Sequence, residues 1–121
     1  MKFMWTTLPV SDMDKSLKFY TELMGLGPIA RMGTAEHQVV MLGRDGETKL
    51  ELIYEPGRQI PENPGNQISM GYAPENLDEF MAKVAALGIP AIGPISPSPD
   101  IRFFFIKDPD GYTVQLVEQF S

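Results

Sequence analysis

Apolar and polar positions change period along this chain, and they do so in the same order twice. Residues 3–8 set Phe3, Trp5 and Thr7 against Met4, Thr6 and Leu8, the two-residue alternation of a strand with unlike faces. Met13, Leu17, Tyr20 and Met24 then recur at helical spacing and predict a helix with one buried stripe. Ser11 is its expected cap, with Asp14 three residues on, and Gly25 ends it. Residues 28–33 and 37–43 read as two more strands. Between the second of these and a fourth strand at 48–54, Arg44-Asp45-Gly46-Glu47 forms a turn, because Asp-Gly supplies the positive φ a tight hairpin needs.

Residues 55–66 contain three prolines and two glycines and are expected to form a linker without regular structure. The pattern then restarts. Residues 67–72 read as a strand. Asn76-Leu77-Asp78-Glu79 opens a helix in capping-box form, its stripe is Leu77, Phe80/Met81, Val84 and Leu87, and Gly88 closes it. Residues 90–100 hold four prolines and predict a short edge strand plus loop. Residues 102–107 are a buried strand, which Asp108-Pro109-Asp110-Gly111 turns back into a last strand at 112–119. The order is βαβββ, twice, and a shift of about 62–65 residues superposes the two copies. The expected fold class is α+β: two modules, 1–55 and 67–121, joined by a linker at 56–66, forming one domain. A single module has one sheet face with no helix to cover it, so two modules are expected to pair.

Composition narrows the function. A net charge of −6 and scattered Lys and Arg leave no basic surface for nucleic acid or an anionic membrane. No stretch has the ~18 apolar residues of a membrane span. The absence of cysteine excludes disulfides, thiolate nucleophiles and thiolate metal sites. With no apolar leader at the N-terminus, the expected location is the cytoplasm. The single histidine, His37, excludes a metal site built on two imidazoles from one chain.

The order of elements, together with Leu8-Pro9-Val10-Ser11-Asp12, Phe19-Tyr20, Leu23-Met24-Gly25, Leu50-Glu51-Leu52 and Phe105-Ile106-Lys107-Asp108-Pro109-Asp110-Gly111-Tyr112, resembles the vicinal oxygen chelate superfamily. That group includes glyoxalase I, bleomycin-resistance proteins, fosfomycin-resistance enzymes, methylmalonyl-CoA epimerase and extradiol dioxygenases. The resemblance is strongest to bacterial glyoxalase I and its sequence neighbours. It implies two modules whose curved sheets, eight strands in all, form a cup with helices outside, a homodimer, and a small-molecule ligand or substrate on the concave face. It also implies ligand positions on the first and fourth strands of each module, which here hold Trp5, Glu51, Gln67 and Gln115. In glyoxalase I the four are typically His or Gln, Glu, His and Glu, so Glu51 alone matches outright.

The chemistry of those four side chains sets the expectations. Indole has a donor N–H and no lone pair for a cation. One carboxylate and two amides suit neither Zn²⁺ nor Ni²⁺, which favour imidazole, nor the two imidazoles and one carboxylate of Fe(II) sites. No cofactor is therefore assigned; a divalent metal (Ni, Zn, Mn or Mg) would have only Glu51, Gln67 and Gln115. Three readings follow. The first is a metal-independent binder that holds a small organic ligand between Trp5 and Glu51, with Gln67 and Gln115 as hydrogen-bonding groups, and an amine or aromatic cation suits that pairing. The second is a divalent-metal lyase or isomerase of the glyoxalase I (lactoylglutathione lyase) type. The third is a metal-free enzyme using Glu51 or His37 as acid/base. Glu51, facing inward, requires a partner or a raised pKa, and a ligand amine, a bound cation, Lys49 or Arg102 is a candidate partner. Asp108 and Asp110 are read as turn formers.

Overall fold

The computed structural model describes residues 1–120. It divides into two units, Met1–Pro61 and Glu62–Ser121. Each repeats the order strand, helix, three strands.

The first unit contains β1 (Trp5–Pro9), α1 (Met13–Lys18) running on into a π-helical turn at Phe19–Leu23, β2 (Pro28–Gly33), β3 (Gln38–Leu42) and β4 (Lys49–Tyr54). Its sheet has the order β1-β4-β3-β2. β1 runs parallel to β4, a pairing that requires a long crossover, which α1 and the β2–β3 hairpin supply. The helix cap is Asp12 rather than Ser11: Asp12 is the last extended residue, and its Oδ1 accepts the Lys15 N–H at 3.1 Å. The buried stripe is Met13, Ser16, Tyr20 and Leu23, while Leu17 and Met24 are half-buried. Met13 and Tyr20 are buried as expected, while Ser16 and Leu23 take the places expected of Leu17 and Met24. At the C-terminal end the Met24 N–H reaches back five residues to the Phe19 carbonyl (3.0 Å), widening the last turn. The Asp-Gly turn forms as predicted, with Gly46 at φ +83° and Glu47 N–H bonded to the Arg44 carbonyl at 3.2 Å.

The second unit opens with a 3₁₀ turn at Pro64–Asn66, followed by β5 (Ser69–Tyr72), α2 (Leu77–Ala86), β6 (Ile92–Ser98), β7 (Ile101–Lys107) and β8 (Thr113–Gln119), with sheet order β5-β8-β7-β6. Asn76 caps α2 as predicted, its Oδ1 accepting the Glu79 N–H at 3.0 Å. Leu87 leaves the expected stripe: it is the C-cap residue and lies exposed. The proline-rich stretch gives a strand of seven residues. Pro94 and Pro97 are tolerated because β6 is an edge strand, where a missing donor breaks no ladder on the outer side. The linker is less irregular than its composition suggests. Gly65 N–H bonds to the Gly111 carbonyl at 3.3 Å, and the Thr113 hydroxyl donates to the Gly65 carbonyl at 2.7 Å, so the 3₁₀ turn is fastened to the start of β8.

In both units the strands alternate faces. Leu8, Val40, Leu42, Leu50 and Leu52 are buried with Met13, Tyr20 and Leu23 of the helix; Phe104, Ile106, Val114 and Leu116 are buried with Leu77 and Val84. Each such side chain contributes roughly 1.5–3 kcal/mol by leaving water. The other face of each sheet carries no helix, and the candidate chemistry lies on it. No helix among the described residues is long and apolar enough to cross a membrane.

Candidate functional site

On the helix-free face of the first sheet, β4 presents Lys49, Glu51 and Ile53, because Leu50 and Leu52 take the core side. The register sets their neighbours. Thr7 of β1 and Met41 of β3 lie opposite Glu51, Trp5 lies opposite Lys49, and Val39 opposite Ile53. The Thr7 hydroxyl donates to Glu51 Oε1 at 2.8 Å. That bond aims the carboxylate along the row towards β1 and leaves its second oxygen for another donor. Trp5 stands one alternate position along β1, about 7 Å away, with its side chain 45% exposed. It is therefore a surface aromatic on the sheet face and not part of the core. Met41, Val39 and Ile53 are half-buried and give the carboxylate apolar surroundings.

Of the candidate partners for Glu51, the two cations of the chain itself are engaged elsewhere. Lys49 Nζ donates to the Glu47 carbonyl at 3.0 Å. Arg102 belongs to the second unit's helix side, where it forms a two-pronged bond to Asp78 (3.0 and 3.2 Å) and another to Glu118 (2.9 Å). Those hydrogen bonds, Asp78 first, raise its pKa and hold it charged.

His37 lies at the β2–β3 turn, clasped by Thr34 through two backbone bonds (2.8 and 3.2 Å). The carboxylate it meets is Glu55, at 3.9 Å, and its side chain is 56% exposed. The adjoining Gln38 pairs with Tyr54, three residues along β4 from Glu51 or roughly 10 Å. His37 is thus outside the Glu51 row. Asp108 is a turn former, as its sequence context predicts: it is buried, and its Oδ1 accepts the N–H groups of Asp110 and Tyr112, both at 2.9 Å.

In the second unit Gln115 occupies the place of Glu51, with Gly71 of β5 and Phe105 of β7 opposite it. Gln67 falls outside the strand. It is the exposed residue closing the 3₁₀ turn, two positions before β5. Ser69 pairs with Thr113 as Trp5 pairs with Lys49. Trp5 to Ser69, Glu51 to Gln115, and the helix caps Asp12 to Asn76 are all steps of 64 residues. By strand register, Ser69 and not Gln67 is the counterpart of Trp5. The residues missed from sequence are Thr7, Ser69 and Gly71, and the step of 64 between Glu51 and Gln115 is the signal that locates the latter two.

The donor set does not fit a divalent metal. Trp5 offers no lone pair, a hydroxyl holds one oxygen of Glu51, and Gln115 is a neutral amide. No three His, Cys, Asp or Glu among the described residues group closely enough to hold an ion. A cleft of about 240 Å³ in the second unit, lined by Met81, Val84, Ile89, Gly93 and Phe104 among others, lies under α2 on the opposite side of the sheet from Gln115. Its lining carries no side-chain group that would orient a polar ligand.

The model of the Glyoxalase/Bleomycin resistance protein/Dioxygenase superfamily matches residues 2–116. A probable lactoylglutathione lyase of Vibrio cholerae is 31% identical over 128 residues, spanning 97% of this chain and 90% of that protein. The trypanothione-dependent glyoxalase I of Leishmania major superposes with a TM-score of 0.77 at 27% identity, covering 98% of this chain and 86% of the other. TnmS3, an antibiotic-binding protein from Streptomyces sp. CB03234, superposes with a TM-score of 0.73 at 22% identity, covering 98% and 96%; at that identity the likeness concerns the fold alone.

Proposed function

Because the chain belongs to the Glyoxalase/Bleomycin resistance protein/Dioxygenase superfamily, we propose that it binds a small organic ligand on the helix-free sheet faces without a complete metal site. Each module is read by itself: Trp5 and Glu51 hold a ligand in the first, and in the second Gln115 supplies hydrogen bonds from the sheet face and Gln67 from the 3₁₀ turn that precedes β5. The observation that carries this reading is the Thr7–Glu51 bond: it orients a carboxylate beside an exposed indole, with no cation spent on it. A carboxylate and an aromatic face together suit an amine or aromatic cation. Homodimerisation in the cytoplasm is part of the proposal. Exposed Ile29 and Met32 on β2, and Ile92 and Ile95 on β6, support the dimer by leaving apolar surface on the outermost strand of each sheet.

The test uses benzyltrimethylammonium as probe. Binding should quench Trp5 fluorescence, and Glu51→Gln should weaken it about tenfold, as expected for a lost charge contact. Unchanged affinity in both Trp5→Ala and Glu51→Gln would sink the reading.

A second reading is a divalent-metal lactoylglutathione lyase, favoured by the names of relatives at 31% and 27% identity. It predicts stoichiometric metal in protein purified without chelator, and turnover of the hemithioacetal of methylglyoxal and glutathione. Finding both would replace the first reading.

A further inference from the structure

Glycine at position 71 has no backbone reason to be there. It sits in β5 without the positive φ that favours glycine. A Cβ added to it would meet only Gln115 Oε1 at 3.8 Å and Val117 Cγ2 at 4.0 Å, both ordinary contacts. Glycine inside a strand weakens the strand and marks a place where something approaches the backbone closely. The first module has Thr7 at this position, and Thr7 holds Glu51. In the second module the corresponding Gln115 has no such neighbour, and its carboxamide forms no hydrogen bond among the described residues.

The surroundings of this gap are specific. Phe105 lies opposite Gln115 and Phe103 opposite Val117, so both rings share the helix-free face. Their centroids are 5.5 Å apart at an interplanar angle of 75°. An edge-to-face pair offers a ring face and a ring edge to a third aromatic group. Lys107, the cation that β7 places on this face, donates to the Thr113 hydroxyl at 2.8 Å, and Thr113 in turn donates to Gly65. That end of the row is closed by the 3₁₀ turn, and its charge is engaged.

We propose that Gly71, Gln115, Phe103 and Phe105 form a slot for a flat, uncharged ring bearing a carboxamide, lactam or imide. The ring lies over Gly71 on the β5 side of Gln115, the Phe pair walls the β7 side, and the ring's amide exchanges two hydrogen bonds with the Gln115 carboxamide, which offers one donor and one acceptor side by side. A charged ring would lose hydration with no free counter-charge to replace it. The inference rests on the reading that the helix-free faces bind ligand, and it names the ligand class for the second module.

The test is benzamide binding to the full-length protein, followed by ¹H–¹⁵N spectra. The Gln115 side-chain NH₂ and the Gly71 amide should shift with a dissociation constant on the order of a millimolar, as befits a fragment. Read at those two signals, benzoate and benzylammonium should bind at least threefold more weakly. Gly71→Val should keep or raise the melting temperature and weaken benzamide binding at least tenfold. Gln115→Leu should remove the preference for benzamide over benzoate. The slot is refuted if Gly71→Val binds benzamide like the parent, or if benzoate or benzylammonium shifts the Gln115 and Gly71 signals with as low a dissociation constant as benzamide. Benzyltrimethylammonium and Trp5 report on the first module separately, so failure of the slot and failure of the ligand-binding reading give different results.

Discussion

At the scale of single residues, the side chains that decide the behaviour of the site are small. Thr7 is the clearest case. Its hydroxyl carries one hydrogen bond, to Glu51, and Thr7→Val keeps the shape while removing the bond. Affinity for an aromatic cation should fall about 5–10-fold, in line with roughly 1–1.5 kcal/mol for one hydrogen bond, with little change in stability. A Trp5 fluorescence titration measures it. Ser16 makes the opposite case. It is fully buried under the first sheet and its hydroxyl has no partner. Ser16→Ala should stabilise the protein by about 1 kcal/mol in urea unfolding, because an unpaired buried hydroxyl carries a desolvation cost that alanine lacks. Tyr72 predicts a pH effect. Burial pushes its phenol up to about 12 from 10.0. Between those values the unfolded chain has lost the proton and the folded chain retains it. Stability is therefore intact below pH 10 and declines as pH rises towards 12. Tyr72→Phe should flatten that part of the urea-midpoint profile; an unchanged slope would exclude Tyr72 as its source.

At the scale of elements, two fastenings hold the second module's parts in place. The 3₁₀ turn lies so close to β8 that a Cβ on Gly65 would come within 2.2 Å of the Thr113 nitrogen. Backbone cannot yield as a side-chain tip does, so Gly65→Ala should cost about 1–3 kcal/mol or more. Amide exchange at Thr113 should rise with it. The second fastening is Arg102, which ties α2 to the sheet through Asp78 and Glu118. Asp78 is mostly exposed and Glu118 largely covered, so Glu118→Gln should lower the melting temperature more than Asp78→Asn. The elements themselves were legible from the sequence where the signal was local. Asn76 as a cap, the Asp-Gly turn and the alternation of β4 and β8 all follow from neighbours within a few residues. The errors came where phase depended on distant packing. Asp12 displaced Ser11 as the cap, and Ser16 and Leu23 rather than Leu17 and Met24 are buried, because packing against the sheet selects which side of the helix is covered. The sequence pattern carries Gln67 into a strand because apolar Ile68 extends it, whereas β5 begins at Ser69, after the chain leaves the 3₁₀ turn.

At the scale of the whole molecule, the family and its two-module plan are established, and the proposed metal-free chemistry turns on which donors the modules carry. One carboxylate and neutral amides give a divalent ion little to hold. Linkage makes this measurable: a ligand present at its own Kd stabilises by only about 0.4 kcal/mol. Millimolar Ni²⁺, Zn²⁺, Mn²⁺ or Mg²⁺ should accordingly shift the melting temperature by no more than about a degree or two, and chelator should leave it unchanged. A rise of several degrees, lost in Glu51→Gln, would overturn this expectation.

The sequence by itself determined the repeat, the fold class, the residue types available for chemistry and the absence of imidazole pairs and thiolates. These are properties of composition and of short-range periodicity, which one chain displays without its partners. Only the tertiary structure decided that Thr7 holds Glu51, that Ser69 rather than Gln67 corresponds to Trp5, that Arg102 is committed to Asp78 and Glu118, and that Gly71 leaves a gap beside Gln115. Each of these is a matter of strand register or of contacts across many residues. A side chain's neighbours across a sheet are fixed by hydrogen-bonded pairing between distant segments, and a slip of one residue exchanges the two faces.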